Sequence, residues 1–150
     1  MDIKKLLNQM TIDEKIGQLQ QVYVNTDNVD EVIDEIKTGM VGSCIIAISD
    51  TAGNADDDGI YKEITGKLQK AARENTRLGI PLLIGRDIIH GDKTIFPIPL
   101  AQAATWDTEL VKEAGERMMA EAAQDGVNWT FAPMLDLVRD PRWGRVIESF

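Results

Sequence analysis

Two short apolar stretches decide the fold class of this chain: residues 40–47 read MVGSCIIA and residues 80–84 read IPLLI. Nearly continuous apolar runs of this length are typical of parallel strands that are buried on both faces. Residues 127–132, VNWTFA, give a third run of the same kind. Helical periodicity fills the intervals, over residues 60–78 and 107–126. Because strands alternate with helices, the sequence predicts an α/β fold with a parallel sheet, either an open doubly wound sheet or part of a (β/α) barrel.

The residues before the first of these strands are predicted to form two helices. Thr11 and Glu14 have the spacing of a capping box, and the apolar residues behind them recur at helical spacing as far as Tyr23. A second, shorter helix over residues 29–36 is expected to end at Gly39, because glycine readily takes the left-handed conformation that closes a helix.

Composition and charge exclude several classes of partner. The 150 residues are 43% hydrophobic and 27% charged, which is the composition of one globular domain. A net charge of −9 disfavours nucleic acid and anionic membrane surfaces, since both attract positive patches. No apolar run approaches the roughly 20 residues that cross a bilayer. The N-terminus shows no apolar signal core, so a cytoplasmic location is expected.

Cysteine and histidine are too scarce for the common metal sites. Cys44 and His90 are the only residues of their types, which excludes an internal disulfide and any site built from paired thiolates or several histidines. Cys44 lies in the first apolar run, and we expect an inert, buried thiol. Residues 49–59 read as a solvated loop. Its acidic run 56–58 is interpreted as favourable charge at the start of the next helix rather than as a calcium site.

Residues at the carboxyl ends of the predicted strands are the candidates for ligand binding, because parallel α/β folds gather their sites there. This rule selects residues 85–91, GRDIIHG, and residues 136–145, DLVRDPRWGR. Asp87 would place its carboxylate at the mouth of the sheet, where it could bind ligand hydroxyls. Its alternative roles are to cap a loop or to pair with Arg86. His90 is expected to brace the loop by a hydrogen bond rather than to act as a base.

The second of these segments alternates arginines with acidic residues. Guanidinium groups suit both carboxylate pairing and the recognition of adjacent hydroxyls. For most of these charges we expect a salt-bridge network that stiffens the loop. Trp143 lies among them, where it would either stack on a sugar or plug the loop. The charged residues concerned are Asp136, Arg139, Asp140, Arg142, Arg145 and Glu148.

A set of motifs, in order and at natural spacing, resembles glycoside hydrolase family 3, the β-glucosidase group. The most specific of them is DPRWGR at residues 140–145, with ESF at 148–150. The others are MTIDEKIGQ at 10–18, GRDIIHG at 85–91, TIFP at 94–97, AATWD at 103–107 and FAP at 131–133.

The resemblance implies that residues 1–150 are the N-terminal portion of a (β/α)8 TIM-type barrel and contain about three of its strands. The rest of the barrel and a following α/β sandwich domain would come from the remainder of the same polypeptide. The implied activity is hydrolysis of terminal non-reducing β-D-glucosyl residues with retention, on a β-glucoside or oligosaccharide. No metal and no organic cofactor is implied.

The resemblance also assigns roles, and it places no catalytic residue in this chain. The family's nucleophile is an aspartate on a later strand, and its acid/base glutamate usually comes from the following domain. We therefore reject Asp87 paired with Asp136 or Glu148 as the catalytic carboxyl groups. Asp87 and Arg145 correspond to residues that hold the hydroxyls of the non-reducing glucose, and the aspartate at 87 favours the glucosidase branch. Residues expected to support these two are His90, Asp140, Arg142, Trp143 and Glu148.

Two alternatives stay open beside this interpretation. One is a small flavodoxin-like binding module that is complete at 150 residues, for which a phosphate at a helix N-terminus would be evidence. The other is a non-catalytic sugar-binding fragment. Because the chain ends at residues 148–150 in a predicted loop, we expect a truncated barrel. Asp92, beyond the GRDIIHG motif, is expected to be solvated.

Overall fold

A computed structural model describes residues 2–47 and 59–149. Its centre is a sheet of four strands that pair in parallel and in sequence order. The order β1-β2-β3-β4 has no reversal, whereas a flavodoxin-like sheet places its second strand outside its first. The flavodoxin-like alternative is therefore wrong, and the start of a (β/α) barrel is confirmed. The strands are β1 Gln21–Val24, β2 Ser43–Ile46, β3 Leu83–Arg86 and β4 Trp129–Thr130.

Helices follow the strands, as the periodicity predicted for residues 29–36, 60–78 and 107–126. The helix predicted over 60–78 ends earlier, at Glu74, and the third begins after Asp107, whose carboxylate accepts a hydrogen bond from the Leu110 amide. The helices are α1 Ile3–Gln9, α2 Ile12–Gly17, α3 Val29–Lys37, α4 Ile60–Glu74, α5 Pro99–Ala103 and α6 Thr108–Gln124, and a 3-10 helix spans Val146–Glu148.

The predicted helix that continues to Tyr23 is wrong beyond Gly17. The capping box at Thr11 and Glu14 does form. At Gly17, however, the backbone of Gly39 packs so closely that an added Cβ would lie 2.5 Å from its carbonyl oxygen. The chain turns there and enters β1, which raises the number of strands from three to four. Tyr23 owes its position to the alternation of this strand rather than to a helix face.

The strand predicted at residues 80–84 lies further along, at Leu83–Arg86. Two amide side chains hold the backbone before and within it. Gln69 of α4 makes hydrogen bonds to both the amide and the carbonyl of Leu82, at 3.1 and 2.8 Å. Asn128 accepts from the Ile84 amide at 2.7 Å and donates to the Leu82 carbonyl at 3.2 Å. Pairing with Thr130 of β4 extends the strand to Arg86, and Asp87 is the first residue after it.

Alternation along the strands separates two faces of the sheet. One face packs against α3 and α4 and forms the main core. The opposite face carries Tyr23, Leu83 and Trp129, which are 48, 51 and 37% exposed. On β3 this alternation directs Arg86 toward the helices and Asp87 toward the opposite face. The core of the helical side includes Val24, Cys44, Ile46, Leu82 and Ile84 from the strands and Val32, Ile36, Ile64 and Leu68 from the helices.

Cys44 is fully buried in this core, as expected, and burial raises the pKa of its thiol to about 12. We predict that iodoacetamide leaves Cys44 unmodified between pH 7 and 9.5 in the native full-length protein, because the reactive thiolate does not form. Peptide mass mapping measures the modification at this residue, with the same protein in urea as the positive control. Labelling that rises steeply near pH 8.5 in the native protein would contradict the buried thiol.

The face of the sheet away from the helices is the basis for a prediction about the association of the isolated 150-residue chain. That face bears half-exposed apolar side chains, and within residues 2–47 and 59–149 the edge strand β4 pairs with β3 alone. Such surfaces favour association. We expect the isolated chain to elute as oligomers in size-exclusion chromatography and to bind a hydrophobic dye. A monodisperse monomer with a sharp thermal transition would show that the chain packs well without further strands.

The loop interpretation of residues 49–58 and the role given to the acidic run 56–58 concern residues outside the described part of the chain. Among the described residues, the cap of α4 is Gly59, with a left-handed backbone φ of 86°. None of the described helices is long and apolar enough to span a membrane.

Candidate functional site

Asp87 lies at the carboxyl end of β3, on the face of the sheet away from the helices. Its side chain is exposed, and it makes no hydrogen bond or ion pair with any residue in 2–47 or 59–149. Beneath it, the ring of Phe131 packs on Gly85 so closely that a Cβ at Gly85 would lie 2.7 Å from the ring. The absence of a side chain at Gly85 therefore lets the ring of Phe131 pack on β3 two residues before Asp87.

Arg145, near the other end of the described chain, lies within the electrostatic influence of Asp87. Its guanidinium binds Glu148 at 2.6 Å from Nη2 and 3.0 Å from Nε, both to Oε2. These bonds are the largest cause of a raised pKa at Arg145, and the negative charges of Asp87 and Asp136 raise it further. The structure thus places Asp87, Asp136, Arg145 and Glu148 in one electrostatic neighbourhood.

A closed loop positions Arg145. Met134 and Ser149 form an isolated parallel bridge that joins the two ends of the loop, and Ser149 is buried. Arg145 also approaches the sulfur of Met134, at 3.8 Å. Sequence reasoning treated Ser149 only as part of a motif, and its closing role depends on a contact across fifteen residues that no local pattern reveals.

Glu148, Asp140 and Arg142 are engaged within the same loop. Glu148 is bound to Arg145, which leaves it poorly placed to serve as a proton donor to a substrate. Arg142 binds Asp140 through its side chain, at 2.7 and 2.9 Å, and through its backbone amide. The amide of Trp143 donates to the carbonyl of Asp140, and the indole is 38% exposed. These residues hold the shape of the loop, and Trp143 presents part of its ring to solvent.

His90 closes the loop that follows β3. Its Nδ1 lies 2.9 Å from the carbonyl oxygen of Phe96, and its own carbonyl accepts from the Phe96 amide at 2.7 Å. Since a carbonyl can only accept, this hydrogen bond requires the proton on Nδ1. Gly91 bridges to Ile95 so tightly that a Cβ there would overlap the carbonyl oxygen of Thr94.

The prediction that Asp92 is solvated is wrong. It is fully buried and forms an ion pair with Arg86, 2.7 Å from Nη1 to Oδ1. The guanidinium of Arg86 also lies over the ring of Tyr61 on α4, 3.7 Å from its centre. The proposed pairing of Arg86 with Asp87 is wrong as well, because neighbouring strand residues point to opposite faces. A predicted strand that included Arg86 would have placed Arg86 and Asp87 on opposite faces of the sheet and so excluded their pairing.

The far side of this loop is attached to α6. Glu121 accepts hydrogen bonds from the amides of Lys93 and Thr94 and from the Thr94 hydroxyl, at 2.8–3.1 Å. The Thr94 amide is the main reason why the pKa of Glu121 is lowered. Lys93 forms an ion pair with the buried carboxylate of Asp125 at 2.8 Å. Burial raises the pKa of Asp92, and the charges of Asp125 and Glu121 add to the rise against the opposing effect of Arg86.

The acidic residues around this loop do not form a metal site. Across the described ranges, no three His, Cys, Asp or Glu side chains are placed to hold a metal ion together. The arrangement instead offers a carboxylate directly after β3, a guanidinium in the loop that follows β4, and an aromatic ring packed on Gly85. Such a set can bind a polyhydroxylated ligand through charged hydrogen bonds and apolar contact.

Comparisons with known proteins support one family. Residues 11–150 match the glycosyl hydrolase family 3 N terminal domain. A periplasmic β-glucosidase of Salmonella typhimurium is 42% identical over 99% of this chain and 18% of its own length. A putative β-xylosidase of Formosa agariphila is 31% identical, with 99% and 21% covered. The crystal structure of a β-glucosidase from Listeria innocua in complex with isofagomine is 38% identical, with a TM-score of 0.75 over 99% of this chain and 20% of that chain.

The chain spans about a fifth of the length of these relatives. Within that fifth the likeness is continuous, since it includes both the capping box before β1 and the arginine-rich loop after β4. The chain therefore belongs to glycosyl hydrolase family 3 and lies within the N-terminal domain of that family.

Proposed function

We propose that the protein carrying this chain hydrolyses terminal non-reducing β-D-glucosyl residues with retention, and that this chain contributes part of the glucose pocket. The observation that carries the proposal is the exposed carboxylate of Asp87, which directly follows β3, makes no hydrogen bond or ion pair with the described residues and acts electrostatically on Arg145. The names of the similar proteins, which include β-glucosidases and a putative β-xylosidase, support glycoside hydrolysis as the class of reaction.

In this proposal Asp87 accepts hydrogen bonds from adjacent hydroxyls of the sugar. Arg145 donates to a neighbouring hydroxyl through N–H groups that Glu148 does not occupy. Each hydrogen bond to a charged group contributes roughly 1.5–3 kcal/mol. The ring of Phe131, packed on Gly85, offers an apolar surface to the C–H groups of the sugar. Binding and orientation of the glucosyl unit are thus the tasks assigned to this chain.

Retention requires two carboxyl groups about 5–5.5 Å apart, one as nucleophile and one as acid/base. We propose that both lie in other parts of the polypeptide. Within the described residues, Glu148 is held by Arg145 and is therefore a poor candidate for either role. The nucleophile attacks the anomeric carbon as the glycosidic bond breaks, and the acid/base group gives its proton to the departing aglycone oxygen. Water that returns a proton to the same group then displaces the enzyme carboxylate, and glucose leaves in its original β configuration.

The full-length protein tests this proposal with p-nitrophenyl β-D-glucopyranoside followed by proton NMR. We expect the β anomer of glucose to appear first, before mutarotation. The matched β-D-xylopyranoside and N-acetyl-β-D-glucosaminide serve as controls for the sugar, and we expect lower kcat/KM for both. Initial release of the α anomer, or turnover confined to one of the control substrates, would contradict the proposal. Sugar binding without turnover would instead favour the non-catalytic alternative.

A cytoplasmic location stays a prediction. Fractionation of the source cells, with β-glucosidase activity and a cytoplasmic marker measured in each fraction, tests it. Activity released by osmotic shock would contradict it.

A further inference from the structure

We propose that Arg86 and Asp92 are positioning residues, whose buried ion pair fixes the backbone between them and so the direction in which Asp87 meets the sugar hydroxyls. The inference rests on the proposed function, and it adds two residues that touch no substrate. Arg86 is the last residue of β3 and Asp92 lies six residues later, so their contact closes a short loop that contains Asp87 and His90.

The direction of the Asp87 carboxylate depends on the backbone that carries it. Its carboxylate has no partner among the described residues, so no contact of its own sets its direction. Arg86, the preceding residue, is 4% exposed and held on two sides, by Asp92 and by the ring of Tyr61. Because the peptide group between residues 86 and 87 is planar, a fixed Arg86 limits the orientation of Asp87.

The other end of the loop, after Asp92, is attached to α6. Glu121 of α6 binds the backbone of Lys93 and Thr94, and Asp125 binds the Lys93 side chain. Asp92 is next to these attachments, so the loop is anchored to α6 on one side. The ion pair with Arg86 connects this anchor to the strand that precedes Asp87. Removal of the ion pair between Arg86 and Asp92 would leave residues 93 and 94 attached to α6, but it would free residues 87–91.

The buried ion pair between Arg86 and Asp92 is not well explained as a contribution to the stability of the folded protein. Two buried charges lose their hydration, and apolar residues of similar volume are often equally stable in such places. Moreover, Arg86 Nη1 and both carboxylate oxygens of Asp92 lack a well-aligned hydrogen bond within the described residues, despite the 2.7 Å approach. A costly and incompletely bonded pair directly beside a binding residue indicates a role in orientation.

The test uses the double variant Arg86→Met/Asp92→Asn of the full-length protein, which removes both charges and nearly preserves volume. We expect the inhibition constant for glucose to rise about tenfold and kcat/KM to fall about tenfold, since small displacements of binding groups have effects of that order. The change should appear mainly in KM, with the melting temperature close to that of the wild type. The matched control is Arg117→Met, which removes an exposed ion pair with Glu113 on α6.

A second comparison, of the double variant in the wild-type and the Asp87→Ala backgrounds, shows whether Arg86 and Asp92 act through Asp87. In an Asp87→Ala background, the double variant should cause little further loss, because residues that act through one group are not additive. Wild-type glucose inhibition and kcat/KM in the double variant, or full additivity with Asp87→Ala, would overturn the inference. If the double variant does not fold, the single variant Arg86→Lys tests the positioning role instead. It keeps a cation near Asp92 but loses the planar guanidinium, so weaker glucose inhibition at an unchanged melting temperature supports the inference, and wild-type inhibition overturns it.

The outcomes separate the two proposals. If Asp87→Ala alone leaves glucose inhibition unchanged, the proposed function fails at this residue. If Asp87→Ala weakens glucose inhibition and the Arg86→Met/Asp92→Asn variant does not, the glucose pocket stands and only the positioning role is wrong.

Discussion

The 150-residue chain expressed alone is expected to hydrolyse no aryl β-glucoside above the rate of a blank. A retaining mechanism needs a nucleophilic carboxylate and a second carboxyl group that donates a proton. Within this chain Asp87 is assigned to binding, and Glu148 is bound to Arg145. Without the pair, the covalent route is closed and the whole of its rate enhancement, at least about a millionfold, is lost.

The measurement is release of p-nitrophenol by chain purified from a host strain without β-glucosidases, with the soluble fraction quantified. The full-length protein at the same molar concentration is the positive control. Turnover that copurifies with the chain and disappears in Glu148→Gln would return a catalytic role to this segment and contradict the assignment.

Asp87→Ala in the full-length protein is expected to lower kcat/KM by at least about tenfold, because one lost hydrogen bond to a charged group is worth roughly 1.5–3 kcal/mol. Glucose should inhibit the variant more weakly by a similar factor. The melting temperature should change little, because the carboxylate of Asp87 is exposed and makes no hydrogen bond or ion pair with the described residues. Steady-state kinetics, product inhibition and a thermal melt on the same preparation measure all three quantities.

Asp34→Ala is the matched control, since Asp34 is an exposed aspartate of α3 whose only ion pair is with Lys37 in the next turn, among the residues described. Asp92→Ala would be a poor control, because Asp92 is buried against Arg86. A destabilised Asp87→Ala protein that keeps its glucose affinity would mean that Asp87 braces the loop and does not bind sugar.

Local patterns were sufficient for the elements whose signals lie within a few residues. The helices α3, α4 and α6 and the strand β2 follow directly from apolar periodicity. The strand β1 does not, because its four residues are compatible with a helix face until the parallel ladder to β2 is known. The bounds of β3 likewise depend on Gln69 and Asn128, which bind its backbone from distant parts of the chain.

The same distinction applies to the site. The rule that ligands bind at the carboxyl ends of parallel strands was enough to select Asp87 and the arginine-rich loop. The burial of Asp92 was not predictable from its neighbours, since Asp92 pairs with Arg86 and the residues after it are held by Glu121 of α6 and by Asp125. Sequence separation of about thirty residues between Asp92 and Glu121 hides that cluster from any local pattern.

The most direct test of the glucose pocket is a crystal structure of the full-length protein with glucose bound. We predict a hydroxyl oxygen of the sugar within about 3 Å of the Asp87 carboxylate and a second within reach of Arg145. Glucose bound elsewhere, with Asp87 in contact only with water, would contradict the account.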